Sequence, residues 1–172
     1  MLSSTDMLKG VTPDGVAVFP ALSKPDFKYK KHGEYSVKLE LGEADAAALI
    51  DAIDAFHAKA YAAETRPGKL ATAANERTTN GLVKAGEPNF QVNTKPYRPA
   101  LDRDGNVKPG RIQFKFSSLA GGSKQENVGG EMVDKVWTRK LPIVDSQGNP
   151  TAVDVRGGSV IAVAHTHHAR IN

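Results

Sequence analysis

Three stretches of the sequence interleave aromatic rings with cations. In Lys24-Pro25-Asp26-Phe27-Lys28-Tyr29-Lys30-Lys31, an extended backbone sets Phe27 and Tyr29 on one side and Lys28 and Lys30 on the other. Asn93-Thr94-Lys95-Pro96-Tyr97-Arg98 repeats the theme, and Lys135-Val136-Trp137-Thr138-Arg139-Lys140 as a strand places Lys135, Trp137 and Arg139 on one face. Rings of this kind stack on bases that no partner strand covers, while the neighbouring lysines and arginines neutralise phosphates. Each ring also has a plainer reading. Phe27 and Tyr29 fit rim packing, and Tyr97 between prolines fits a pin for its loop. Trp137, flanked on its own face by two cations, is expected to be exposed.

Other chemistry finds less support. His165 and His167 point the same way on a strand and could hold one metal ion, but the chain has no cysteine and a third ligand would have to come from His32, His57 or a distant carboxylate. Solvated or groove-lining histidines are the favoured reading. Gly121-Gly122-Ser123-Lys124 lacks the upstream glycine and the following hydroxyl of a phosphate loop. Asp102-Arg103-Asp104 opens like a calcium loop, but Gly105 comes too early and Gln113 stands where a bidentate glutamate is needed. With no nucleophile motif and no recognisable carboxylate pair, the sequence does not read as an enzyme, and it asks for no cofactor.

The chain that must position these residues has 172 of them, with 40% hydrophobic, 24% charged and a formal net charge of +4. That suits one domain with a lean core. No apolar run is long enough to span a bilayer, and the first residues lack the order of a signal peptide. Charge is segregated: Lys24 to Lys38 and Lys95 to Lys140 are basic, whereas Glu43 to Glu64 is acidic. Such segregation is the expected footprint for a polyanion.

Gly15 to Leu22 reads as a strand with Val16, Val18 and Pro20 alternating against Ala17 and Phe19, its second half an edge because proline donates no ladder bond. Glu34 to Leu41 is half-buried, with Tyr35, Val37, Leu39 and Leu41 inward. Glu43 to Glu64 is the one convincing helix, with Leu49, Ile53, Phe56 and Ala60 on its apolar side and Ile50, His57 and Tyr61 beside them. Residues 69–110 are expected to form an extended or mobile loop region. Further strands are expected at Arg111 to Ser117, where Ile112, Phe114 and Phe116 turn inward, at Val133 to Val144, and at Ser159 to Ile171. A flexible loop is expected between Gly121-Gly122 and Gly129-Gly130. The pattern predicts a mainly β, β-rich α+β fold, with an OB-type barrel as the economical way to manage sheet edges.

Several segments resemble the single-stranded-DNA-binding proteins of tailed bacteriophages. They are Ala21-Leu22-Ser23-Lys24-Pro25-Asp26-Phe27, Tyr35-Ser36-Val37-Lys38-Leu39, the helix end His57-Ala58-Lys59-Ala60-Tyr61-Ala62-Ala63, Phe114-Lys115-Phe116, Leu141-Pro142-Ile143-Val144-Asp145-Ser146-Gln147-Gly148 and Gly157-Gly158-Ser159-Val160. Their shared order over Val16 to His167 carries the likeness. The resemblance implies a five-stranded OB-fold barrel with one helix between the second and third strands and long loops. It also implies protection of unwound DNA in phage replication, recombination and repair, in the cytoplasm of the infected bacterial host. It further implies self-association, and contacts to the phage DNA polymerase and helicase-primase through an acidic C-terminal tail. This sequence ends Arg170-Ile171-Asn172 with no acid after Asp154, so those contacts are expected only where the full-length protein carries such a tail.

Taken together, residues 1–172 are expected to form a single OB-fold domain that binds single-stranded DNA without sequence preference. Lys24, Lys28, Lys30, Lys31, Lys95, Arg98, Lys115, Lys135, Arg139 and Lys140 are expected to meet phosphates, and Phe27, Tyr29, Tyr97 and Trp137 to stack on bases. The alternatives are an RNA-binding or strand-annealing module on the same barrel and, of another class, a histidine-centred metal-binding protein.

Overall fold

A computed structural model describes residues 7–64, 67–79, 81, 85 and 94–169. In chain order the elements are β1 (Leu8–Val11), β2 (Gly15–Asp26), β3 (Glu34–Gly42), α1 (Glu43–Glu64), α2 (Pro67–Thr79), β4 (Tyr97–Leu101), β5 (Val107–Leu119), β6 (Gly121–Val128), β7 (Glu131–Thr138), β8 (Val160–Ile161) and β9 (Ala164–His167). Two compact units result, each built from separate parts of the chain.

The unit formed by Pro13–Glu43 and Pro96–Ala162 holds a five-stranded antiparallel sheet in the order β4-β5-β3-β2-β8. Taken in chain order, those five strands leave the helical segment between the second and the third, and the fold is OB-like. The alternation in β3 sorts its side chains as expected. Tyr35, Val37, Leu39 and Leu41 are buried, and the β3–β5 register sets Leu39 opposite Phe114, Val37 opposite Phe116 and Leu41 opposite Ile112. Leu39, Leu41 and Phe114 are the largest fully enclosed side chains. Burying each is worth roughly 1.5–3 kcal/mol. Only Gly15 and Val16 of β2 pair with β8, so the proline-bearing end of β2 does lie on an edge.

Two Asp-x-x-Gly-Asn turns close hairpins in this unit. Asp102 Oδ1 accepts from the backbone N–H groups of Asp104 and Asn106 at 2.9 and 2.8 Å, and Asp145 Oδ1 accepts from Gln147 and Asn149 at 2.8 and 2.9 Å. The carboxylates are used by the turn itself, which is why the calcium reading of Asp102 finds no place.

The other unit comprises Met1–Thr12, Ala44–Lys95 and Val163–Asn172. Its described elements are α1, α2 and the two-stranded ribbon β1–β9, in which Gly10 lies opposite His165 and Leu8 opposite His167. The buried stripe of α1 is Ala46, Ile53, His57 and Ala60. Leu49, Ile50 and Phe56 are half-buried, and Tyr61, expected beside the apolar side, is 45% exposed.

Three expectations need correction. The loop expected over 69–110 contains most of α2, all of β4 and the start of β5, while 80, 82–84 and 86–93 lie outside the described residues. Helix α2 opens on Pro67, whose fixed φ suits a first helical position, and its Ala71-Thr72-Ala73-Ala74 run has high helix propensity without an apolar stripe. Gly121 to Val128 is a strand paired to β7 along its whole length rather than a flexible loop. The strand expected at Ser159 to Ile171 is broken into β8 and β9, which belong to different sheets; 170–172 lie outside the described residues.

Candidate nucleic-acid interface

The sheet's second face carries the polar partners of the core pairs. On it Lys38 lies opposite Lys115, Glu40 opposite Gln113, and Ser36 opposite Ser117. Arg98 of β4 lies opposite Gln113, and Arg98 Nη2 donates to Gln113 Oε1 at 3.5 Å. One part of this face is neutralised. Glu40, only 6% exposed, takes Lys108 Nζ at 2.8 Å and Arg111 Nε at 2.9 Å. Burial would raise the Glu40 carboxyl, but hydrogen bonds and charge from Lys108 and Arg111 outweigh it and hold the group below its ordinary value. Lys38 and Lys115 are different: among the described residues neither has an ion-pair partner.

Beyond the end of β2, the loop to β3 carries the first aromatic-basic segment. Lys30 O accepts from Gly33 N at 2.9 Å, and Gly33 has φ +78°. The Phe27 ring lies so close that a Cβ on Gly33 would sit 2.9 Å from Phe27 Cε1. Glycine is therefore required there for both dihedral and space. Phe27 and Tyr29 are exposed, Tyr29 at 80%, and Lys28 Nζ stands 5.0 Å from the Tyr29 ring centroid. Lys24, Lys30 and Lys31 are exposed beside them. Ser23 Oγ donates to Asp154 at 2.7 Å, and that carboxylate, held below its ordinary value by Ser23 and Arg156, also feels Lys24.

The same loop abuts the root of the β6–β7 ribbon. Ala120 N donates to Gly33 O at 3.0 Å, and Arg139 N donates to Ala120 O at 2.8 Å. A Cβ on Gly121 would meet His32 at 3.3 Å. Trp137 lies across from Gly122 with its indole over that glycine, where a Cβ would be 2.8 Å from Cζ2. It keeps 38% of its surface exposed. Lys135, opposite Lys124, pairs with Glu126 at 3.1 Å. The Arg139 guanidinium turns back to bond Ser118 Oγ and, at 3.4 Å, Leu119 O. Lys140 is exposed.

The first and third segments are thus brought together through Gly33, Ala120 and Arg139, with Lys115 and Arg98 on the adjoining sheet face. The second segment is divided. Tyr97 aligns with Phe114, its ring centroid 5.8 Å away, so its half-buried ring sits on the core side. Lys95 belongs to the other unit, where its Nζ pairs with Asp54 at 2.7 Å. Sequence reasoning passed over Lys38 because it read β3 for its buried face alone. The signal was the polar alternation of that same strand.

The histidines occupy the other unit. His57 Nε2 and His167 Nε2 are 2.6 Å apart, with ring planes within 8° and Phe56 edge-on to His167. One ring donates its N–H to the other's lone pair. Two ligands of one zinc ion, each about 2.0–2.1 Å from it, would stand further apart. Among the described residues no group of three or more His, Asp or Glu is placed to hold a metal ion. Burial lowers the His57 imidazole, Lys95 adding to the effect and Asp54 opposing it. Burial, with His57, His165 and His168 nearby, takes His167 down to about 4. Among the described residues no helix is long and apolar enough to cross a membrane.

No family model matches the sequence, and no curated protein matches it either. Among solved structures the chain is similar to gp2.5, a single-stranded DNA binding protein encoded by bacteriophage T7. The likeness has a TM-score of 0.58 at 23% sequence identity, over 94% of this chain and 74% of that one. At that identity what the two share is the fold.

Proposed function

We propose that this chain binds single-stranded DNA without sequence preference. The observation that carries the reading is the grouping, in one unit, of three solvent-facing rings (Phe27, Tyr29 and Trp137) with exposed lysines at the end of a sheet whose outer face is basic. Exposed apolar surface that is grouped rather than scattered marks an interaction site, and bases of an unpaired strand offer a π-face to each ring. Lys24, Lys28, Lys30, Lys31, Lys115, Lys135 and Lys140 then neutralise successive phosphates, and Arg98 adds a charge on the sheet face. Arg139, already bonded to Ser118, holds the ribbon root in place as well as supplying charge. Tyr97 supports Phe114 from the core side. Duplex DNA offers the phosphates but not the base faces, so discrimination follows from the rings.

The similarity in fold to the bacteriophage T7 protein favours a role in phage DNA metabolism, protecting unwound strands during replication, recombination and repair in the host cytoplasm. The protein acts by binding rather than catalysis. The test is a titration of fluorescent oligo-dT against a duplex of equal length. Tight binding to oligo-dT and weak binding to duplex is expected. The reverse order overturns the reading.

A further inference from the structure

In a regular strand Phe19 would follow Ala17 onto the core face, two residues on. It does not, because β2 carries an extra residue there: Val18 lies opposite Lys38 but Ala21 lies opposite Ser36, three steps on one strand against two on the other. Phe19 takes φ +48°, the only non-glycine with positive φ among the described residues. That region is disfavoured for a phenylalanine, and it precedes Pro20, which restricts the backbone further. The bulge re-aims the ring. Phe19 is left 78% exposed on the polar face, with Lys38 Nζ 5.5 Å from its centroid. Packing does not repay this strain, since so little of the ring is covered.

Lys38 in turn sits directly opposite Lys115. Like charges facing each other across strands repel, and among the described residues no carboxylate pairs with either. Strands β2, β3 and β5 are neighbours in the sheet order. A strained, solvent-facing ring on β2 is therefore followed across the middle of the sheet by lysines at facing positions of β3 and β5, with Lys38 Nζ leaning toward the ring.

We infer that Phe19, Lys38 and Lys115 form a single-nucleotide subsite, in which a base stacks on the Phe19 ring and the adjoining phosphate lies between the two lysines. With Lys38 over one face of the ring, the base takes the other. The phosphate removes the lysine–lysine repulsion. This subsite deepens the single-stranded DNA reading and rests on it. It lies on the sheet, apart from the loop and ribbon rings that carried that reading.

The test compares the wild-type chain with Phe19→Gly, Phe19→Tyr and Lys115→Gln, by anisotropy of labelled oligo-dT and by thermal unfolding. Glycine accepts φ +48° without strain, so Phe19→Gly should melt no lower than the wild type while binding oligo-dT about tenfold or more weakly, the loss of one stacked base. Phe19→Tyr should bind like the wild type. Lys115→Gln should reduce the steepness of the log–log salt dependence by about 0.7, one phosphate's worth on a single strand. If Phe19→Gly binds as tightly as the wild type, the subsite is wrong while the DNA reading stands. If Phe19→Gly melts lower, the ring is a packing element and the subsite is again wrong. If the wild type itself ignores oligo-dT, the parent reading fails first.

Discussion

Mild acidification should weaken the helix–ribbon unit while Glu40 of the sheet stays ionised, and replacing His167 should remove much of that sensitivity. His167 is taken from an ordinary 6.5 to about 4 in the fold, first by burial and then by its histidine neighbours. Its imidazole stays neutral while hydrogen-bonded to His57, and Lys95, paired with Asp54 at 2.7 Å, adds positive charge to the surroundings. Because the folded value is the lower one, the unfolded chain binds more protons between the two values, and stability falls as pH drops through that window. Between about pH 7.5 and about pH 5 the full shift corresponds to a loss of about 2 kcal/mol. The ring is half-open to solvent, so screening brings the expected loss nearer about 1 kcal/mol. His57 and His165 shift in the same direction through burial and reinforce it. Glu40, held below its ordinary 4.5, remains ionised at the lower pH and contributes little in this window. The assay is urea unfolding at both pH values for the wild type and His167→Gln, which keeps a polar group facing His57 and cannot titrate. The wild type should lose about 1 kcal/mol more than the variant. Equal losses would show that His167 is not held neutral by the fold.

Further outcomes follow from the sheet and ribbon. Trp137, the single tryptophan, should be quenched by oligo-dT, and Trp137→Ala should cost about 1–3 kcal/mol of binding; unchanged affinity in a folded variant removes it from the interface. Oligo-dT binding should fall with salt at a log–log slope of about −3 to −4, for roughly four to six neutralised phosphates, whereas a flat response means the lysines are ordinary surface. Glu40→Ala leaves Lys108 and Arg111 facing each other, and should cost about 1–2 kcal/mol of stability in denaturant, after allowance for their partial exposure. Leu39→Ala empties the centre of the core and should cost about 2–5 kcal/mol by the same measurement.

What could be read from the sequence was whatever the backbone left periodic. Strand β3 was legible because each inward residue meets a partner on β5, and α1 because its buried side repeats along the helix from Ala46 to Ala60. Of the β6–β7 ribbon only the second strand was legible, as the extended stretch from Val133; β6 was not, since Gly121-Gly122-Ser123-Lys124-Gln125-Glu126-Asn127 offers no apolar alternation. Helix α2 escaped for a related reason: its alanines favour a helix without marking a side. The aromatic-basic segments were found by composition alone, so composition could not tell Tyr29, which faces solvent, from Tyr97, which faces Phe114.

Phe19 shows why the remaining part of the site was hidden. Parity sets it on the same face as Ala17, which is buried, and parity is correct only while the strand is regular. One inserted residue and one positive φ reverse the assignment. A polar face built on regular strands can place lysines by alternation, as β3 and β5 do with Lys38 and Lys115, but alternation opposite a lean core gives few positions for an exposed ring. The bulge provides one beside those lysines, at the cost of local strain. If binding is what retains that strain, relieving it with glycine should separate stability from affinity, leaving a fold at least as firm and a sheet face less able to hold a base.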